Sequence, residues 1–284
     1  MPARDYARDR RPGLLAGLRR SGWHLALAAS AAFLLAPTAL AVLASLKPAN
    51  DLYDANPLPL HATLGSYRVA VGDFPVFRLL GDTVLVAAGV VALQLAVATL
   101  AAYALVRVGD RAGRLTLTAG TVAVLVPAQA LIIPQFLLIS HLGWQDTFPG
   151  LIVPQLSGCA VPLLLLRQQV RAIPPGLAEA ATLDGAGSWQ ALWYVVLPVM
   201  RPALAAVAIL IFASTWNEYL WPLIATPGGA PGTIQTGLAL FRNTEGASPG
   251  PLLAAATLAT LPVLAAYACA ARQVTNAFMH SGID

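Results

Sequence analysis

Three acidic side chains lie where they could do chemistry. Glu179 and Asp184 are five residues apart in a loop between two apolar runs, whereas Glu218 is the only Asp, Glu, Lys or Arg within any apolar run. Carboxylates in a loop can pair with basic groups of another protein. A charge in the middle of a membrane costs about 3 kcal/mol, so a carboxylate such as Glu218 usually faces a bundle interior or a water-filled path.

The sequence lacks the motifs of an ATPase and of a metalloprotease. The phosphate-binding loop G-x-x-x-x-G-K-[ST] needs a lysine, and the single lysine, Lys47, lies in Leu46-Lys47-Pro48. The metalloprotease pattern H-E-x-x-H is absent as well. We therefore expect no catalytic residue, no bound cofactor and no metal, and the energy for any transport has to come from another chain.

The composition indicates a membrane protein. Hydrophobic residues make up 57% of the 284 residues and charged residues 11%, with a mean hydropathy of +0.68, whereas a soluble domain carries about 25% charged residues. The runs lack the period-two alternation of barrel strands, so the prediction is an all-α polytopic membrane protein with six transmembrane helices. Six runs are long enough to cross a bilayer: Trp23–Leu46, Thr83–Val106, Leu115–Ser140, Phe148–Leu166, Pro202–Ala225 and Pro251–Ala271.

The basic residues predict which side of the membrane each loop occupies. With the amino terminus inside, thirteen of the seventeen Lys and Arg residues lie inside and four outside. Short loops rich in these residues stay in the cytoplasm, so both termini and the loop that holds Glu179 are predicted to be cytoplasmic. Because the basic residues are divided by membrane side, the net charge of +4 indicates no nucleic-acid partner. The first run, with 24 residues, is longer than the core of a signal peptide, which favours an uncleaved anchor over a cleaved signal.

The loop between the fourth and fifth runs has a helix–turn–helix pattern. Pro174-Pro175 predicts a helix start, and Gly185 predicts its end. Ser188 is the predicted cap of a second short helix, Ser188–Val196, which stops at Pro198. We call residues 172–200 the elbow. Helical spacing puts four residues of its first helix on one face: Leu177, Ala180, Ala181 and Asp184.

The spacing within the elbow resembles the cytoplasmic EAA loop of ABC importer permeases. The matching pattern is Glu179-Ala180-Ala181, three residues, Gly185, nine residues, Val195, one residue, then Leu197-Pro198. The resemblance implies that the elbow is a coupling helix, inserted into a cleft of an ATP-hydrolysing subunit. In that arrangement Glu179 and Asp184 pair with basic or polar groups of the ATPase, Ala180 and Ala181 fit the cleft, and Gly185 supplies the turn. The alternative is an interfacial helix that only joins two spans.

Aromatic and amide side chains surround the carboxylate in the fifth run. Glu218 either lines a solute path or reaches the outer surface, where neighbouring aromatic residues would form an interfacial belt. The string Trp-Asn-Glu-Tyr-Leu-Trp-Pro-Leu at 216–223 resembles a segment of sugar-type importer permeases of the MalG-like group. That resemblance implies a substrate pathway containing Trp216, Asn217, Glu218 and Tyr219. Three glutamines either line such a path or make interhelical hydrogen bonds: Gln129, Gln135 and Gln155.

The resemblance covers about residues 23–280 and implies a complete transporter in the plasma (inner) membrane of a prokaryote. Residues 1–22 would be a cytoplasmic tail and 23–284 the transmembrane permease domain. The implied partners are a second homologous permease, two cytoplasmic ABC ATPases that use the ATP, and an external solute-binding protein. The outer loops 47–82 and 226–250 either receive that protein or are plain connectors.

Three rival interpretations remain open. The first is a permease of the same plan for a phosphodiester, a polyamine or an amino acid. The second is a secondary carrier, which would show an internal repeat and more charges at membrane depth. The third is an intramembrane enzyme, which would need a paired nucleophile and base.

Overall fold

The computed structural model describes residues 14–48, 51–52, 54, 56, 58–72, 74–107, 110–244 and 249–279. This part of the chain is all helical and contains no strand, which confirms the prediction of an all-α protein. Within it we number thirteen α-helices: α1 (Leu14–Ser45), α2 (Gly65–Gly72), α3 (Val76–Arg107), α4 (Asp110–Leu125), α5 (Ile132–His141), α6 (Phe148–Ile152), α7 (Ala160–Ala172), α8 (Pro175–Leu183), α9 (Ser188–Ala191), α10 (Leu197–Trp216), α11 (Leu220–Ala225), α12 (Ile234–Thr244) and α13 (Pro249–Met279).

Five helices in the described residues are long and apolar enough to cross a membrane. A bent pair makes a sixth if it is counted as one span. The helix α1 begins at Leu14 and so includes part of the predicted tail, while residues 1–13 of that tail lie outside the described residues. The five helices are Trp23–Ser45, Val76–Arg107, Phe148–Ala172, Ser188–Trp216 and Pro249–Cys269.

The third apolar run, Leu115–Ser140, was predicted as one span, and in the structure it consists of two helices that are bent at a break. The pieces Thr118–Leu125 and Ala128–His141 are bent by 92° relative to each other. Pro127 lies at the break, where it has no N–H to continue the helical hydrogen bonds. A short 3₁₀ helix, Ala128–Leu131, follows before α5 begins.

The fifth run also differs from its prediction of Pro202–Ala225. A continuous helix starts earlier, at Ser188, and ends at Trp216. Residues 217–219 are not helical, and the chain then forms the separate short helix α11. Glu218 therefore lies in a break between two helices and not inside a span.

Helices α3, α7 and α10 pack together around the main hydrophobic cluster. Val86, Leu166 and Ile211 represent these three helices in it. A second cluster joins α2, α12 and α13 to one end of α3. Its largest member is Trp216, which is 1% exposed and donates its indole N–H to the carbonyl of Ala259 at 3.2 Å. The end of α10 is thereby tied to α13.

Apolar side chains also cover the outside of the molecule. Phe33 of α1 is 80% exposed, and none of the apolar window of that helix is buried. In water such a surface would be an aggregation site. It is the expected surface of a chain that lies in lipid, where helices gain nothing by hiding apolar groups from the solvent.

A close approach of α3 and α6 sets the position of the chain that follows α6. A Cβ on Gly89 would lie 2.6 Å from Cδ1 of Ile152, so a larger residue at this position would require the Ile152 side chain to shift. Residues Val153–Cys159 then form a 3₁₀ helix beside α3. The packing brings this irregular segment next to Gln94.

The connection between α11 and α12 is held by acidic and hydroxyl side chains of other elements. Asp146 accepts a hydrogen bond from the N–H of Gly228 at 2.8 Å. Thr83 accepts one from the N–H of Ile234 at 2.8 Å, next to the contact between Asp82 and Gly232 at 3.3 Å. A segment rich in glycine and proline therefore has a defined backbone.

Candidate functional site

The first helix of the elbow has the predicted limits. Pro174 is its N-cap residue, and Pro175 is its first residue, where the missing N–H loses no hydrogen bond. Its end is closed by backbone bonds from Gly185 to Thr182 at 3.0 Å and from Ala186 to Ala181 at 2.9 Å. Gly185 has φ +80°, a conformation that side chains with a Cβ rarely adopt. The predicted turn at this glycine is confirmed.

The predicted face of that helix is only partly outward. Ala181 is 9% exposed and packs inward, whereas Leu177, Ala180 and Asp184 are exposed. Glu179 is exposed as well. It borders an open depression of about 540 Å³ together with three other residues, Arg107, Thr182 and Leu183.

The second helix of the elbow begins and ends differently from its prediction. Its N-cap is Gly187, whose N–H donates to Oε1 of Gln190 at 2.8 Å, so the predicted cap at Ser188 was wrong. Pro198 does not stop it either. A π-helical turn at Leu192–Val196 precedes this proline, and the chain continues into α10. Such wide turns occur where a helix accommodates a residue that breaks the regular hydrogen bonds.

Helix α3 is fastened to the start of this second helix. The Tyr103 hydroxyl donates to the carbonyl of Ser188 at 2.7 Å. Nη1 of Arg107 donates to the Ser188 hydroxyl at 2.9 Å, and its guanidinium lies 4.9 Å from the Tyr103 ring centre. Sequence reasoning missed this link because the residues are more than 80 positions apart and no motif joins them.

Three helix interruptions meet at one cavity of about 350 Å³. They are the bend after α4, the 3₁₀ helix Val153–Cys159 and the break after α10. Irregular backbone at membrane depth is tolerated where it is buried in protein or lines a water-filled cavity. Discontinuous helices of this kind form the binding sites of many transporters. We call this space the glutamine cavity, because four glutamines line it: Gln94, Gln129, Gln135 and Gln155.

Three of these glutamines supply donors to the interrupted backbone. Gln94 donates its amide to the carbonyl of Gln155 at 2.6 Å. Gln135 donates to the carbonyl of Pro154 at 3.0 Å and to the hydroxyl of Ser157 at 2.8 Å. Gln155 donates to the carbonyl of Leu151 at 2.8 Å. Gln135 therefore bonds to another helix and Gln155 bonds within its own segment, and both side chains line the cavity.

The carboxylate of Glu218 lines the glutamine cavity. Its Oε1 accepts the N–H groups of Leu220 and Trp221, both at 3.2 Å, and so caps α11. The other predicted pathway residues are not among those that line this cavity. Trp216 is buried against α13, Asn217 donates to the carbonyl of Ala213 at 2.7 Å, and Tyr219 is 41% exposed.

Two lining residues were not singled out from the sequence. Gln94 reads as one polar residue in an otherwise apolar span, and its bond to Gln155 crosses 61 positions. Trp221 is 4% exposed and donates its indole N–H to the carbonyl of Leu151 at 3.2 Å. Its aromatic surface lines the cavity. Across the described ranges, no group of three or more His, Cys, Asp or Glu side chains is placed to hold a metal.

Discontinuous membrane helices around a cavity are typical of transporters. Residues 94–277, more than half of the chain, match the family described as "Binding-protein-dependent transport system inner membrane component". The chain belongs to this family.

Known proteins agree with this assignment. An ABC transporter permease protein of Streptomyces antibioticus is 33% identical over 227 residues, which cover 80% of this chain and 99% of that protein. The lactose transport system permease protein LacG of Rhizobium radiobacter is 30% identical over 190 residues, 67% of this chain and 69% of that protein. Other relatives are named for diacetylchitobiose uptake, trehalose/maltose transport and sn-glycerol-3-phosphate transport.

A solved structure has the same fold. It is described as the crystal structure of a bacterial ABC transporter involved in the import of the acidic polysaccharide alginate. One of its chains matches with a TM-score of 0.76 and 23% identity, over 95% of this chain and 99% of that chain. The chain is thus an inner-membrane permease subunit of a binding-protein-dependent ABC importer, and ATP hydrolysis belongs to a separate subunit.

Proposed function

We propose that the chain forms one membrane half of an importer for a sugar or sugar derivative, in the cytoplasmic membrane of a prokaryote. The names of relatives that transport lactose, diacetylchitobiose and trehalose/maltose support the solute class. The distribution of Lys and Arg supports an orientation with both termini and the elbow inside the cell. Residues 1–22 are then the tail and 23–284 the permease domain.

In this proposal the elbow is the coupling helix. Glu179 and Asp184 are exposed and, within the described residues, have no ion-pair partner, so they are available to groups on an ATPase. Ala180 presents a small side chain to the cleft, Ala181 holds α8 against the rest of the elbow, and Gly185 makes the turn. Leu197-Pro198 begins the helix that carries movement away from the elbow.

The proposed assembly contains a second homologous permease, two cytoplasmic ATPases and an external solute-binding protein. The chain itself binds no cofactor, and the ATP is used by the ATPases. Closure of the ATPase pair would displace the elbow and tilt the continuous helix Ser188–Trp216. Because residues near the end of this helix line the glutamine cavity, the tilt would change access to the cavity, which is the basis of alternating access.

The observation that carries the proposal is the meeting of three helix interruptions at one cavity that is lined by four glutamines and Glu218. Amide and carboxylate groups there suit the hydroxyls of a sugar, and the Trp221 ring offers a surface for its C–H face. The relative named for sn-glycerol-3-phosphate transport favours a second candidate, a phosphate-bearing solute.

Uptake measurements with a Glu218→Ala variant test the pathway. In the reconstituted transporter we expect the KM or the relative rates among lactose, maltose, diacetylchitobiose and sn-glycerol 3-phosphate to change at least about threefold, because one hydrogen bond to a charged group is lost. Ser140→Ala is the control, since Ser140 is exposed and does not line the cavity. Unchanged uptake of every solute by Glu218→Ala would remove this residue from the pathway.

A further inference from the structure

The wall of the glutamine cavity carries no positive charge. Of the residues that line it, all of them described, none is Arg, Lys or His, and Glu218 is the single carboxylate. Sites that bind phosphate or carboxylate groups use Arg, Lys or a set of free backbone N–H groups. Here the free N–H groups at the start of α11 are already taken by Glu218.

Four N–H-bearing side chains of the wall already donate to groups of the protein. Both hydrogen bonds of the Gln135 amide nitrogen go to the interrupted segment, to Pro154 and Ser157. The nitrogens of Gln94 and Gln155 each donate to a carbonyl, and so does the Trp221 indole. This arrangement fixes the orientation of the three amides, because a carbonyl can be satisfied only by the NH₂ side.

The corresponding acceptors remain available. The amide oxygens of Gln94, Gln135 and Gln155 and the Oε2 of Glu218 have no hydrogen bond among the described residues. None of them is enclosed, since the one buried side-chain nitrogen or oxygen without a partner in this part of the chain is Nε of Arg167. Four residues with an oxygen acceptor that is not used in a hydrogen bond within the described residues therefore line the cavity, together with the neutral side chains of Gln129 and Ser214.

We propose that the glutamine cavity is a charge filter, which accepts uncharged, hydroxyl-rich solutes and excludes anions. Sugar hydroxyls donate to the amide oxygens and to Glu218 and can accept from the neutral donors. A phosphorylated sugar or a uronic acid brings a negative charge toward Glu218 and finds no charged donor on this wall. The inference rests on the proposed function, in which this cavity is part of the solute path.

Thiol labelling tests the filter without knowledge of the solute. In the assembled transporter in membrane vesicles, Cys159 and Cys269 are first replaced by serine, and Ser214→Cys then places one thiol in the cavity wall. Its labelling rate is measured with a neutral hydroxyethyl methanethiosulfonate and with the anionic sulfonatoethyl reagent. The control thiol, Ala62→Cys, lies at an exposed position outside the cavity.

For each thiol, the ratio of interest is the labelling rate with the neutral reagent divided by the rate with the anionic reagent. We expect this ratio to be about tenfold larger at Ser214→Cys than at Ala62→Cys. Adding Glu218→Gln, which keeps the shape and removes the charge, is expected to bring the two ratios within about twofold of each other. Equal ratios at the two positions without that substitution would overturn the filter and leave the path intact. Failure of both reagents to reach Ser214→Cys would instead contradict the path itself.

Discussion

The elbow and the glutamine cavity use polar side chains in opposite ways. Glu179 and Asp184 on the elbow are exposed and have no ion-pair partner within the described residues. Gln94 and Gln135 in the cavity wall donate to carbonyls that the interrupted helices leave open. Polar groups on the elbow are thus available for another protein, whereas those in the cavity first stabilise the chain itself. A substitution should therefore affect assembly and coupling in the first region and stability in the second.

One helix joins the two regions. The helix Ser188–Trp216 starts in the elbow, and Leu210, Ile211, Ser214 and Thr215 near its other end line the cavity. From Ser188 to Ser214 a helix extends about 40 Å. A rigid element of this length can transmit a displacement without a change in its own hydrogen bonds.

Charge reversal on the elbow should have the largest effect. We expect Glu179→Lys to reduce ATP-driven uptake in reconstituted vesicles by at least about tenfold, because like charges at an interface cost several kcal/mol. The thermal unfolding of the isolated chain should be unchanged, since this side chain has no ion-pair partner among the described residues. Glu179→Gln is the control and should retain more uptake. If the reversal lowers the melting temperature but leaves uptake intact, the elbow does not act as a coupling surface.

The second largest effect is expected from a β-branched residue at the turn of the elbow. Gly185→Val forces a side chain into a conformation with φ +80° and is expected to cost about 1–3 kcal/mol locally. The resulting shift of α8 should reduce uptake several-fold while the subunits still co-purify. Gly176→Val is the matched control, because a Cβ there also meets no atom within 4 Å and its φ is not in the left-handed range. Equal activity of the two variants would contradict the importance of the turn.

In the cavity wall, the prediction concerns the free energy of unfolding of the chain. We expect Gln135→Leu to lower the free energy of unfolding by about 1–3 kcal/mol, because Pro154 and Ser157 lose their donor. Gln129→Leu is the matched control: Gln129 lines the same cavity, is exposed, and its side chain makes no hydrogen bond among the described residues. Thermal unfolding in detergent distinguishes the two. Equal losses would show that the glutamines do not support the interrupted helices.

The smallest effect is expected at the link between α3 and the elbow. Tyr103→Phe removes the hydrogen bond to the Ser188 carbonyl, worth about 1 kcal/mol, and keeps the ring that stacks with Arg107. We expect two- to fivefold less solute transported per ATP hydrolysed. Tyr194→Phe is the control, since Tyr194 is 79% exposed in the same elbow. An unchanged transport ratio in Tyr103→Phe would limit this link to a structural role.

The sequence was sufficient for the helices and for the first turn of the elbow, since these depend on local features. Run length and apolar character predict where spans occur, and Pro175 and Gly185 have conformations that suit only certain positions of a helix. The places where helices break were harder to predict. A hydropathy pattern shows no difference between a straight span and one that bends by 92° at Pro127.

The cavity wall could be predicted only in part for a related reason. Backbone carbonyls within 153–159 accept hydrogen bonds from side chains of distant helices, such as Gln94 and Gln135, in place of helical N–H groups. The aromatic neighbours of Glu218 also look alike in the sequence. Trp216 and Trp221 are both buried, yet only Trp221 lines the cavity, and this difference follows from the break at 217–219.

The π-helical turn at Leu192–Val196 also limits how this segment can evolve in length. A π turn holds an additional residue, and deleting one would restore an ordinary α turn and rotate everything before it by about 100°. Glu179 would then face a different direction around the helix axis, while the cavity wall stayed in place. A change of length in this turn is therefore expected to disturb the elbow more than an exchange of its side chains.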